Sequence, residues 1–345
     1  MNIVYSYSIL LIIILLIFCY KIYSCQYLPI FHLNELPYIC NTFIEINKQI
    51  SIEEIETQLK IRIKNIELLK NKNCIYVVNS TNDFFTLDNS QYRFLLFYNN
   101  SKTYICFQNH RSLCGGQERI WKIVNYILDS PRINENINYI KNTPLISDII
   151  KYNPIMNIYN YIPFTKKIKY FGNIYVKTLD IKKIGILCDS FNCSKNDLVI
   201  GITCEYIIQN KIIYDKYIRI FVPINVENEY GHIIIEIPNV QMTFQKMMDS
   251  IIKITEKSLK NYYIKKSSII TNKLLTINSF LFSECYKNCI NSCHVFISYI
   301  TSFKNNRTFF KNKIHNIYQF YHSYNSTIQV GVSSYHNNFT ITFNY

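Results

Sequence analysis

The longest unbroken apolar stretch is the first, residues 5–20 (YSYSILLIIILLIFCY), bounded by Tyr5 and Tyr20 and closed by Lys21. Its length falls between the core of a secretory signal and a full membrane span, so residues 1–25 read as a signal peptide or a short signal-anchor. Either reading delivers the rest of the chain to an oxidising lumen. The expected placement is therefore secreted/extracellular, or single-pass membrane with a lumenal body. No second run of this kind follows, which excludes a multi-spanning protein.

Beyond residue 25 the hydrophobic period changes several times. Ser51 with Glu54 has the form of a capping box, and Ile52, Ile55, Leu59, Ile63, Ile66 and Leu69 recur at helical spacing. Strand-like groups follow at 74–78, 93–98 and 103–108, and a helix is expected over 117–128, ending before Pro131. Residues 132–165 are interrupted by Pro144, Pro154 and Pro163 and mark the boundary between two lobes, 26–150 and 151–345. In the second lobe, 173–179, 198–208, 211–222 and 232–237 read as strands, with Gln209-Asn210 reversing a hairpin. A helix spans about 242–260, and Ile328, Val330 and Val332 with Phe339, Ile341 and Phe343 form a terminal hairpin. Strands and helices are segregated without βαβ alternation, so the fold class is α+β, a body of antiparallel strands and a few helices.

Composition qualifies this pattern. The 345 residues contain no alanine, 7 Gly and 8 Pro, with Ile, Asn, Lys and Tyr in excess, as AT-rich codons would give. That bias weakens the argument from net charge, +14, toward an anionic partner, and the basic residues are scattered rather than clustered. It also weakens the argument from the glycosylation sequons at Asn79, Asn99, Asn192, Asn306, Asn325 and Asn338. Cysteines carry more information. Leaving aside Cys19 and Cys25, ten remain: Cys40, Cys74, Cys106, Cys114, Cys188, Cys193, Cys204, Cys285, Cys289 and Cys293. In an oxidising lumen they are expected to form about five disulfides, with Cys106–Cys114 and Cys188–Cys193 as natural local pairs. The Cys285, Cys289, Cys293, His294 spacing lacks the paired pattern of a structural zinc site, so no metal is expected, and no cofactor.

The stretch 109–121 (NHRSLCGGQERIW) is the most suggestive for chemistry. Gly115-Gly116 precedes a helix, where free backbone N–H groups can hold an anion, and His110 and Arg111 stand beside it. His110, Arg111 and, later, His322 are the candidate catalytic residues. The stretch is superficially similar to secreted acid nucleases of the DNase II type, which carry His-x-Lys followed by Gly-Gly and Trp. Ser112 stands in place of that Lys, the glycines come early, and His322-Ser323-Tyr324 lacks the later Lys, so membership does not follow. No HExxH, GxSxG, Walker or GxGxxG motif occurs. The function expected is that of a secreted or membrane-anchored, disulfide-rich glycoprotein with a binding role at a cell or virion surface. Its partner would be a protein, an anionic glycan or nucleic acid. The alternative is a secreted hydrolase of an anionic polymer, using His110 near Gly115-Gly116.

Overall fold

A computed structural model describes residues 39–64, 74–78, 92–110, 123–129, 151, 174–226, 229–261, 264–270, 292–303, 307–322 and 327–344. The strands are β1 (Ile39–Ile46), β2 (Ile75–Val77), β3 (Tyr92–Asn99), β4 (Lys102–His110), β5 (Ile174–Asp180), β6 (Tyr217–Val226), β7 (Glu229–Pro238), β8 (Val295–Phe303), β9 (Thr308–Phe309), β10 (Asn312–His322), β11 (Ile328–Tyr335) and β12 (Asn338–Asn344). The helices are α1 (Ile52–Ile63), α2 (Ile181–Phe191), α3 (Lys195–Gln209) and α4 (Phe244–Lys260). The strands form two six-stranded sheets, ordered β2-β3-β4-β1-β10-β9 and β5-β12-β11-β8-β6-β7.

The first sheet is built by alternation. Phe94, Leu96, Ile105, Phe107, Ile44, Ile46 and Ile317 face one way, into a core with Ile55, Leu59 and Ile63 of α1. In the second sheet Ile218, Ile220, Ile233, Ile235, Val330, Val332, Ile341 and Phe343 share a core with α3 and α4. Both helices carry real caps. Ser194 and Asp197 form a reciprocal capping box on α3, and the Thr243 hydroxyl accepts from the Lys246 N–H on α4. Gly201 lets the two helices touch, since a Cβ there would meet the Met248 sulfur at 2.3 Å.

The expected disulfide-stapled body of antiparallel strands is corrected on two points. The β2–β3, β8–β11 and β6–β8 pairs are parallel, which requires crossovers and makes both sheets mixed. Among the described residues packing rather than bridges holds the body: Cys106, Cys188, Cys193 and Cys204 are thiols in or beside the cores, and the expected Cys188–Cys193 bridge is not formed. Cys40 pairs opposite Asn109 whereas Cys106 pairs opposite Phe43, so alternation sends the two thiols to opposite faces. Cys188 and Cys193 lie side by side as thiols, and burial first, then its neighbour, pushes Cys193 up to about 11. Burial also raises the Cys106 and Cys204 thiols, as befits small apolar core residues. Cys114, Cys285 and Cys289 lie outside the described residues.

Residues 198–208, expected as a strand, are helical. The Ser194 capping box sets the helix going, and burial on several sides hides the helical period that would have revealed it. Gln209 closes this helix instead of turning a hairpin, and the strand expected from residue 211 begins at Tyr217. Ser51 is the N-cap of α1 but its side chain makes no cap hydrogen bond. Of the expected 117–128 helix, 123–127 is helical and the earlier part lies outside the described residues.

One carboxylate pins three segments around the first sheet, one of them from the C-terminal part of the chain. Asp129 pairs with Arg62 of α1 and accepts from the backbone N–H groups of Phe310 (3.1 Å) and Lys311 (2.8 Å). Phe310 and Lys311 both have positive φ and form the tight turn between β9 and β10. Burial alone would raise the Asp129 carboxyl, but the Arg62 and Lys311 hydrogen bonds outweigh it and hold it below the usual range. A depressed folded value stabilises the fold above the ordinary carboxylate range, and this contribution fades as pH falls through the depressed value. Asp129→Asn is therefore expected to cost about 1–3 kcal/mol at neutral pH, and less at pH 3, read by urea unfolding at both values.

Candidate functional site

The two sheets meet where β10 lies against β11 and β12, and there both present polar side chains. On the second sheet the residues that alternate with the apolar core are Gln329, Gly331 and Ser333 of β11 and Thr340, Thr342 and Asn344 of β12. They are buried, although their sequence pattern is that of a solvent face. The Thr342 hydroxyl donates to the Gln319 carbonyl (2.7 Å), and the Asn316 amide donates to Thr340 (3.0 Å). Gly331 permits this approach, because a Cβ there would stand 2.7 Å from the Gln319 carbonyl oxygen.

On the first sheet the register aligns a row across three strands, Arg93, Gln108 and Asn41. Arg93 Nε donates to Gln108 Oε1 (2.5 Å), and Gln108 Nε2 donates to Asn41 Oδ1 (2.6 Å). All three are buried. Aromatic rings continue this face, with Phe43 stacked on Tyr318 (5.2 Å) and Phe97 on Tyr104 (4.9 Å). Burial raises both phenols, with the Glu45 charge adding to it, so they remain protonated.

The candidate histidines fall at one end of this arrangement. His110 ends β4 and His322 ends β10, and both pair with Ile39 of the central strand β1. Their backbones are thus two strand spacings apart, about 10 Å. Asn316 meets Thr340 and Gln319 meets Thr342, so the two chains run in step, and Asn344 with its partner Gln329 comes next at the His322 end. Arg111, Cys114, Gly115 and Gly116 lie outside the described residues.

The other described histidines are engaged elsewhere. His294 Nδ1 accepts from the Arg219 backbone N–H (2.9 Å), which makes Nε2 the protonated nitrogen, and Nε2 donates to Asp215 at 2.8 Å. Both nitrogens are occupied, so this His–Asp pair fastens the start of β8 to β6 and has no free lone pair for proton transfer. His232 is buried and stacked on Phe221 (4.6 Å). His315 and His336 are exposed.

Of the sequons, Asn79, Asn306 and Asn325 lie outside the described residues. Asn99 is exposed at the β3–β4 turn, Asn192 is the left-handed C-cap of α2, and the Asn338 amide donates to the His315 carbonyl (3.0 Å).

No protein-family model matches the sequence, and no curated protein does. The fold, however, has solved counterparts. It is similar to the wax ester synthase/diacylglycerol acyltransferase from Marinobacter aquaeolei VT8, with TM-score 0.58 and 11% identity over 89% of this chain and 88% of that one. It is similar to the TRI3 trichothecene 15-O-acetyltransferase from Fusarium sporotrichioides, with TM-score 0.57 and 8% identity over 89% and 85%. Polyketide synthase associated protein 5 from Mycobacterium tuberculosis gives TM-score 0.52 and 14% identity over 91% and 90%. At these identities the likeness is one of fold.

This likeness, nearly end to end, corrects the functional expectation of a secreted or membrane-anchored binding glycoprotein, and that of a secreted hydrolase of an anionic polymer. The secreted or single-pass placement is corrected with them. It required thiols to pair in an oxidising space, and Cys188 beside Cys193 stays unpaired in disulfide terms. Among the described residues no helix is long and apolar enough to cross a membrane, and residues 5–20 lie outside them.

His294→Ala is expected to lower stability by about 2–4 kcal/mol, since it opens a cavity and strands the Arg219 N–H, yet to leave any activity of the folded protein in place. Urea unfolding beside an activity assay at low temperature checks both halves.

Proposed function

We propose that the protein is an acyltransferase that moves an acyl group from an activated donor, a thioester, to a hydroxyl or amine, with His110 as general base. The observation that carries this reading is the position of His110. It ends the strand next to the centre of the first sheet, at the end of an inter-sheet seam, in a fold whose solved counterparts include a wax ester synthase/diacylglycerol acyltransferase and a trichothecene 15-O-acetyltransferase. The fold alone would not choose a reaction. The position of His110 and the polar lining of the seam support this one.

In the proposed reaction the His110 imidazole takes the proton of the acceptor O–H or N–H as that atom attacks the thioester carbonyl. The carbonyl π electrons move onto oxygen, giving a tetrahedral oxyanion. Such a charge is stabilised by backbone N–H groups. Collapse of the oxyanion breaks the C–S bond, and the imidazolium returns its proton to the departing thiolate. The net change is thioester plus alcohol or amine to ester or amide plus thiol, and the base ends as it began. In this scheme His322, whose backbone pairs with the other side of Ile39, binds the acceptor.

Purified protein incubated with an acyl thioester and a panel of alcohols and amines is expected to release thiol only when an acceptor is present. His110→Ala is expected to reduce that release about 100-fold or more, and His322→Ala to raise KM more than it lowers kcat. Release that does not depend on acceptor, or that survives His110→Ala, removes the reading.

A further inference from the structure

Gln329 is 2% exposed, and neither the oxygen nor the nitrogen of its carboxamide has a hydrogen-bond partner. Buried amides are almost always satisfied, and one with both ends empty is costly to the fold. Nothing structural is gained in return, because the neighbouring hydroxyls of Thr340 and Thr342 already serve the contacts between the sheets. The side chain is also not isolated. The register places Asn344 on one side of it and Phe296 on the other, and Phe296 stacks on Phe221 at 4.8 Å with the rings 15° from parallel. Asn344, Gln329, Phe296 and Phe221 thus form one row across three strand pairings, on the face turned from the helical core. The row lies at the seam end where β4 and β10 finish.

We infer that this row is a specificity subsite for a group that carries a carboxamide beside a flat apolar part, with Gln329 as the residue that reads it. A carboxamide presents one acceptor and two donors. Its complement is another group with a donor and an acceptor side by side, above all an amide of the substrate. The paired rings of Phe296 and Phe221 offer that substrate a planar apolar wall. The carboxamide is shut from water, so the substrate enters by a small parting of β10 from β11 and β12, where among the described residues the Thr342, Asn316 and Asn338 hydrogen bonds and the close packing at Gly331 have to yield. Assigning the occupant as the acyl acceptor rests on the acyl-transfer reading. The subsite itself does not.

The test uses the full chain and Gln329→Met, which keeps the shape and removes both polar atoms, with benzamide as probe and toluene as the same ring without the amide. Ligand-observed NMR titration is expected to show benzamide bound at least about 10-fold more weakly by Gln329→Met, with toluene unchanged. The unliganded variant is expected to melt about 2 °C higher than wild type, because an orphaned amide has been replaced by an apolar group of the same size. A lower melting temperature means that Gln329 is a structural residue and overturns the proposal. Unchanged benzamide binding overturns it as well, whatever the melting temperature. Loss of thioester turnover in wild type with benzamide binding intact would remove the acyl-transfer reading and leave the subsite standing, and the converse result would do the opposite.

Discussion

The structure depends on a meeting of two polar surfaces. The second sheet spends its apolar face on its own helices, and what it offers the first sheet is the other face, with Gln329, Ser333, Thr340 and Thr342 set against strand β10. An upper strand edge has carbonyls to satisfy, and the Thr342 hydroxyl does this for Gln319. Polar groups buried between sheets are favourable only when paired. Here the Thr340 and Thr342 hydroxyls are paired, whereas the Gln329 amide and the Ser333 hydroxyl are not.

Much of the local structure could be read in the chain. The α4 helix, with Met247, Met248 and Ile251 inward and Lys246, Lys253 and Lys257 outward, follows its 3.6-residue period, and the β11–β12 hairpin follows its alternation. The α3 helix did not announce itself, because a run such as Leu198, Val199, Ile200 is apolar in any conformation, and β-branched residues tip the balance toward strand when packing is unknown. β10, which crosses from the C-terminal part of the chain to sit beside β1, involves partners nearly 280 residues apart, and no local pattern encodes such a pairing.

The proposed site was legible in one half only. His110 and His322 stood out by residue type, and the register brings them to either side of Ile39. The Gln329 amide was hidden by its own pattern: Gln329, Gly331 and Ser333 alternate with valine and isoleucine as an exposed strand face would, and only the approach of β10 from the first sheet shows that this face is covered. Cysteine count misled in the opposite direction. Thiols in the cores of both lobes serve as small apolar side chains, and counting them as pairs assumed a compartment that the N-terminal run alone had suggested.

Asp197 divides its carboxylate between two duties. One oxygen accepts from the Ser194 N–H and hydroxyl at the start of its own helix, and the other accepts from the Thr255 hydroxyl at 2.7 Å on the neighbouring helix. A single anion therefore times the winding of α3 to the docking of α4, so neither can fray alone. Together with the glycine contact at Met248, this makes the two helices a shared keel beneath the second sheet.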